Sequence, residues 1–169
     1  GGCLALDMGL GKTPTILARM GVAPGETPSL VIAPPAVVGN WAAEAKRFTP
    51  NVKVLVHHGP NRANGPRLAS ALRSADLVIT TYGTAVRDVD ELARLEWDRV
   101  VLDEAQVIKN HRSTTAQELR KLNARARLAL TGTPIENGLG DLWAILDFCN
   151  PGLVGGRTSF INQLNQIGD

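Results

Sequence analysis

Three short groups of residues have the types and spacing to do chemistry. The first is Asp7-Met8-Gly9-Leu10-Gly11-Lys12-Thr13. Gly9 and Gly11 let backbone N–H groups converge on phosphate oxygens, and a helix opening at Lys12 adds unpaired donors and positive potential. Lys12 can reach the β- and γ-phosphates of a nucleotide, and Thr13 can place its hydroxyl on Mg²⁺. The second group is Asp103-Glu104, which closes the apolar run Val100-Val101-Leu102. In a P-loop enzyme an acid here holds Mg²⁺, and its neighbour can accept a proton from the attacking water. Asp103 is therefore assigned to the metal and Glu104 to the general base or to water orientation. The third is Leu130-Thr131-Gly132-Thr133-Pro134. Small hydroxyl residues beside a nucleotide can signal loss of the γ-phosphate, although an ordinary strand turn looks similar. The ending Gly-Lys-Thr fits the Walker A pattern, while Leu6 occupies the place of that pattern's first glycine.

These groups need elements to hold them. Apolar runs at Cys3–Leu6, Ser29–Ala33, Val52–Val56, Asp76–Thr80, Arg99–Asp103 and Ala126–Leu130 read as strands. Several are apolar on both faces, as buried parallel strands are. Between them Lys12–Met20, Val38–Phe48, Pro66–Ser74, Ala85–Leu95, Thr114–Leu122 and Leu139–Phe148 read as crossover helices. This alternation predicts an α/β fold with a mostly parallel sheet, whose ligands sit beyond the carboxyl ends of the strands. Each chemical group follows a strand, as do Pro34 and Thr81, so the placement predicts a P-loop fold.

The bulk numbers narrow the class. At 169 residues, with 44% hydrophobic and 20% charged, the chain suits one compact globular domain and not a disordered segment. No run of 18 apolar residues occurs, and Gly1–Leu6 is too short and lacks the basic lead of a signal peptide. Cys3 and Cys149 do not suggest a disulfide framework, and Cys149 reads as a small buried hydrophobe. His57, His58 and His111 do not join them in a zinc spacing; the His57-His58 pair reads as a strand-to-loop edge. Trp41, Trp97 and Trp143 read as core residues. From Arg112 to Arg127 five basic residues face one acid, Glu118, a patch that could meet phosphates or form a solvated helix face.

Taken together, these motifs resemble the first RecA-like domain of the Swi2/Snf2 group of helicase superfamily 2, the DNA-translocating ATPases. The resemblance covers nearly the whole chain. Asp7–Thr13 is similar to motif I, and Leu30–Pro34 with Gly39-Asn40-Trp41 to motif Ia. Ile79-Thr80-Thr81-Tyr82 is similar to motif Ib, Asp103-Glu104-Ala105-Gln106 with Ile108-Lys109-Asn110 to motif II, and Leu130–Asn137 to motif III. Leu142-Trp143 and Asn150-Pro151-Gly152-Leu153 are also typical of this group. Two positions depart from the pattern. Leu6 stands where many relatives carry an acid, and Gln106 replaces the histidine common at the end of motif II. The resemblance implies a RecA-like three-layer α/β/α domain that takes ATP and Mg²⁺, with Gln106, Thr131, Gly132 and Thr133 coupling hydrolysis to motion. It implies a partner in the backbone of double-stranded DNA, which positions a protein without reading sequence. Pro34, Gly39, Asn40, Thr80, Thr81, Tyr82, Lys109 and Arg112 are the candidate contacts.

The same resemblance implies that residues 1–169 form an N-terminal ATP-binding domain truncated at its front edge, without the upstream adenine-holding segment. The second RecA-like domain and its arginine finger are missing too, so weak nucleotide turnover is expected of these residues alone. The parent would act inside cells, in the nucleus or nucleoid, with chromatin, transcription or repair proteins as partners and no membrane. Rival readings are another superfamily 2 helicase or restriction-type translocase and, for this chain alone, a non-catalytic nucleotide- or DNA-binding module. A kinase or small GTPase gives no role to the motif III region.

Overall fold

The computed structural model describes residues 1–5, 12–22, 26–133 and 135–167. Gly9 and Gly11 lie outside the described residues, as do Leu6, Pro134 and the side chain of Lys12. Six strands, β1 (Gly2–Ala5), β2 (Ser29–Ala33), β3 (Val54–His57), β4 (Leu77–Thr81), β5 (Glu96–Leu102) and β6 (Asn123–Thr131), form one sheet in the order β1-β6-β5-β2-β4-β3. Every pairing is parallel. The helices are α1 (Lys12–Met20), α2 (Pro35–Phe48), α3 (Gly65–Ser74), α4 (Tyr82–Arg87), α5 (Val89–Leu92), α6 (Thr114–Leu119), α7 (Leu139–Cys149) and α8 (Arg157–Ile167), with a 3-10 turn over Ala105–Ile108.

Side chains along each strand alternate between two cores, because successive residues point to opposite faces of a sheet. Val31, Ala33, Leu77, Ile79 and Val101 pack against Ile16, Leu17 and Met20 of α1 and Val38, Trp41 and Ala45 of α2. Leu30, Ile32, Val78, Val100 and Leu102 face Leu68 and Leu72 of α3, Tyr82 of α4, Leu92 of α5, Leu119 of α6 and Phe148 of α7. The result is the three-layer α/β/α arrangement of the sequence reading.

Several element boundaries differ from that reading, each for a local reason. The helix expected over Ala85–Leu95 is two helices, broken at Asp88. It starts early because Thr81 Oγ1 caps the N–H of Thr84 at 3.3 Å. The Asp88 carboxylate is drawn to Arg62 Nε and His57 Nε2, both at 2.7 Å. The same contact holds buried His57 as the last residue of β3, where the expected strand ended at Val56. β6 begins at Asn123, three residues early. Its Arg127 folds inward, donating to the carbonyls of Leu122 at 2.7 Å and Phe148 at 3.1 Å. α6 stops at Leu119, short of Leu122, and α8 was not foreseen. No residue of α8 is buried, so no apolar face marks it.

Most of the basic run from Arg112 to Arg127 is engaged within the domain. Arg120 pairs with Asp147, Lys121 with Glu118 and Arg125 with Glu96, and Arg127 is spent on carbonyls. Arg112 makes no ion pair among the described residues.

Candidate active site

The carboxyl ends of the strands are nearly level. Ala5 of β1 pairs with Thr131 of β6, Ile32 of β2 with Leu102 of β5, and Ala33 with Thr81 of β4. Asp103 stands one residue past β5, and its N–H continues the ladder to the Ile32 carbonyl at 2.8 Å. Asp103 is therefore fixed in the same plane as the strand ends that carry Thr131 and Thr81.

The Asp103 carboxylate is held at both oxygens. The indole N–H of Trp41 donates to Oδ2 at 2.9 Å, and the Glu104 backbone N–H donates to Oδ1 at 2.9 Å. The Tyr82 hydroxyl donates to the Asp103 carbonyl at 2.6 Å. Burial, then the charges of Asp103 and Glu104, push the Tyr82 phenol well above its ordinary range, so it stays a donor at any working pH. Two hydrogen bonds leave about half of the carboxylate's lone pairs free for a cation. Thr13, the second oxygen expected of a cation site, lies in the first turn of α1 and is 8% exposed. Among the described residues no three His, Cys, Asp or Glu side chains cluster as a metal cage. A sparse hard-oxygen set of this kind suits Mg²⁺ shared with phosphates and water.

Glu104 is held differently. Its backbone is left-handed, with φ 51° and ψ 53°, and no other non-glycine among the described residues has positive φ. Such a conformation costs about 1–2 kcal/mol and needs its surroundings to enforce it. Gln106 Nε2 donates to Glu104 Oε2 at 2.6 Å. Gln106 Oε1 accepts from Thr131 Oγ1 at 2.9 Å, and Thr131 Oγ1 accepts from the Thr133 N–H at 3.1 Å. A continuous relay thus runs from the end of β6 to the carboxylate assigned as base. Gly132 and Thr133 are exposed beside it.

The other predicted residues are divided. Pro34, half-buried, precedes α2, whose exposed Gly39 and Asn40 lie one turn in. Thr80, Thr81 and Tyr82 have buried side chains. The Thr80 hydroxyl donates to the His57 carbonyl at 2.7 Å, and Thr81 is spent capping α4. Lys109 pairs with Glu136 in the segment after β6. Arg112 shares a cavity of about 400 Å³ with Lys109, His111, Asn137, Asp141 and Arg157. Burial first, then the cations Arg112, Arg157 and Arg120, depress the His111 imidazole below its usual range. Trp41, Trp97 and Trp143 are all core residues. What sequence reasoning missed is the polar task of Trp41 and Tyr82. The available signal was that a buried indole N–H or phenol needs a partner.

The family model for the SNF2-related domain matches residues 1–167. The chain belongs to the SNF2-related family. It is 43% identical to YwqA of Bacillus subtilis, described as an ATP-dependent helicase/translocase, over 95% of this chain and 18% of that one. It is 39% identical to the ISWI chromatin-remodeling complex ATPase ISW2 of Saccharomyces cerevisiae, over 98% of this chain and 15% of that protein. Among solved structures, the Swi2/Snf2 ATPase core of Sulfolobus solfataricus in complex with double-stranded DNA matches with a TM-score of 0.78 and 39% identity. That match covers 99% of this chain and 36% of the core. The chain thus spans less than a fifth of these two relatives. The SNF2-type ATPase domain carries the RecA-like fold that the motifs implied, and no helix among the described residues is long and apolar enough to cross a membrane.

Proposed function

We propose that this chain is the ATP-binding half of a Mg²⁺-dependent motor that couples ATP hydrolysis to translocation on double-stranded DNA. The observation that carries this reading is the pair of separately held carboxylates at one strand end, Asp103 clamped by Trp41 and Glu104 by the Thr131–Gln106 relay. Lys12 and the loop glycines Gly9 and Gly11 bind the phosphates, and Thr13 and Asp103 hold the cation. Bound there, Mg²⁺ neutralises charge on the β- and γ-phosphate oxygens. Glu104 orients the attacking water and takes its proton, with Gln106 fixing the carboxylate's direction. Thr131, Gly132 and Thr133 stand where loss of the γ-phosphate is transmitted into β6.

The parent pairs this domain with a second RecA-like domain that closes the cleft and brings an arginine finger. Such a finger is worth roughly 10³–10⁵ in rate in other nucleotide hydrolases, so closure of the cleft governs turnover. The DNA backbone lies along Pro34, Gly39 and Asn40 and the main chain of the Thr80–Tyr82 segment. The inward hydroxyls of Thr80, Thr81 and Tyr82 stiffen that segment, and Arg112 and Lys109 add positive charge nearby. The solved neighbour's double-stranded DNA supports this choice of partner. Chromatin and transcription proteins are the further partners that relatives such as ISW2 suggest, inside the cell.

The test is ATP hydrolysis by the full-length parent with duplex DNA, single-stranded DNA or RNA, and Lys12→Ala as control. Strong duplex stimulation that Lys12→Ala abolishes supports the motor. Equal stimulation by single strands or RNA replaces it with an unwinding helicase, and no hydrolysis under any condition replaces it with a binding module.

A further inference from the structure

The two segments proposed to face DNA lie on opposite faces of the sheet. α2 packs in the core that holds Val31 and Ile79, and Tyr82 of α4 packs in the core that holds Ile32 and Val78. Each sends one buried donor to the same residue. Trp41 follows the exposed Gly39-Asn40 pair on α2, is 1% exposed, and spends its only polar atom on Asp103 Oδ2. Tyr82 opens α4, is 9% exposed, and spends its hydroxyl on the Asp103 carbonyl. Both rings pack in the apolar cores, so losing either bond would leave a largely buried donor without its partner.

We propose that Trp41 and Tyr82 are positioning residues through which duplex DNA, docked on α2 and on the Thr80–Tyr82 segment, orients the Asp103 carboxylate toward the metal–nucleotide. This inference rests on the motor reading above and adds the route by which DNA reaches the metal site. The route is a direct one. A rigid helix carries the DNA-facing residues at one point of its turn and the indole donor at the next. A small displacement or stiffening of α2 or α4 is therefore felt at Asp103 without passing through the second domain. Asp103 is gripped from both faces of the sheet, side chain from one and main chain from the other, so the two segments act on one point. Glu104 receives neither of these bonds; its partner is Gln106.

The experiment uses the full-length parent and reads binding as well as turnover. Fluorescent ADP is titrated across a range of Mg²⁺ concentrations, with and without saturating duplex DNA, for wild type, Trp41→Phe, Tyr82→Phe and the double variant. In wild type, DNA lowers the Mg²⁺ concentration at half-saturation. In Tyr82→Phe that DNA-induced shift shrinks by about three- to tenfold, the scale of one neutral hydrogen bond, and in Trp41→Phe by about tenfold or more, the scale of a bond to a carboxylate. Affinity of the nucleotide-free protein for duplex DNA, read by anisotropy, stays within about twofold of wild type because both side chains are buried, while with Mg–ADP bound it falls by the same factor as the lost shift. The double variant falls short of the product of the two single effects, because both bonds end on Asp103. Tyr82→Phe removes a single oxygen, so it carries the test should Trp41→Phe unfold. A wild type that responds to DNA beside variants that respond equally overturns the route and leaves the motor intact. Variants that lose affinity for DNA in the absence of nucleotide overturn it too, by showing an ordinary contact. A wild type whose Mg²⁺ dependence ignores DNA refutes the route, and one whose hydrolysis ignores DNA as well refutes the motor with it.

Discussion

The relay onto Glu104 can be broken at one side chain. Gln106→Ala removes the 2.6 Å bond to Glu104 Oε2 and the 2.9 Å bond from Thr131 Oγ1. The first involves a carboxylate and is worth about 1.5–3 kcal/mol; the second, between neutral groups, is worth about 0.5–1.5 kcal/mol. If the first bond acts by aiming Glu104 at the attacking water, its loss is felt in the transition state and barely in nucleotide binding. DNA-stimulated kcat of the full-length protein then falls by about 10- to 150-fold at 1.36 kcal/mol per decade. The Kd for fluorescent ADP moves by less than about threefold, since removing Gln106 leaves the phosphate loop and Thr13 in place. Gln106→His is the sharper control. A neutral imidazole has one donor and one acceptor nitrogen, so it can donate to Glu104 and accept from Thr131 at once. It should retain nucleotide affinity within a few-fold and most of kcat. A Gln106→Ala enzyme with wild-type kcat would refute the assignment of Gln106 as the aiming residue. Collapse of ADP affinity in both variants would place Gln106 in nucleotide binding instead.

Three further outcomes follow from the fold. Arg127→Leu strands the carbonyls of Leu122 and Phe148, and should cost about 2–6 kcal/mol in urea unfolding, at roughly 1–3 kcal/mol per unsatisfied group. The Arg62 guanidinium, then His57, hold the Asp88 carboxyl below its ordinary 3.8 despite its partial burial. A depressed folded-state pKa gives stability that is present above pH 4 and lost as pH falls through the folded value, so Asp88→Asn should flatten the acid limb of stability measured from about pH 5 down to pH 2. Burial, with Cys3 beside it, pushes the Cys149 thiol up to about 11; in neutral buffer it should react with N-ethylmaleimide only as fast as the protein opens, as mass spectrometry would read.

The sheet and the chemical groups were legible because each depends on local pattern. β2 and α1 match their expected bounds residue for residue, one a fully buried β-branched run and the other a helix set by its position after the loop. Asp103, Glu104, Gln106 and Thr131 were all named in advance, and the structure joins the last three through side-chain bonds. What was not legible depends on contacts between distant residues. Asn123–Arg125 reads as polar, and the strand reaches back over it as Arg127 finds the carbonyls of Leu122 and Phe148. The break at Asp88 depends on Arg62 and His57, 26 and 31 residues away. The most consequential miss, Trp41, is a true core residue whose single polar atom makes a contact 62 residues along the chain. Hydrophobic periodicity finds the ring and is blind to the N–H.

Adjacent carboxylates on a regular strand would point to opposite faces of the sheet and could not serve one nucleotide. The chain avoids this by ending β5 at Leu102 and placing Glu104 in the left-handed region. Asp103 keeps its strand-like bond to Ile32, while Glu104 turns back toward β6 and Gln106. The bend also separates their supports. Asp103 is held by α2 and α4, the elements proposed to face DNA, and Glu104 by the strand end proposed to follow the γ-phosphate. Damage to the first set should therefore weaken the response of the metal site to DNA, and damage to the second should slow chemistry with that response intact. A variant at Trp41 and one at Gln106 should combine close to multiplicatively, because the side-chain bonds they remove end on different carboxylates that are joined only through the Glu104 N–H to Asp103 Oδ1. A single merged network would make the double variant no worse than the more damaged single one.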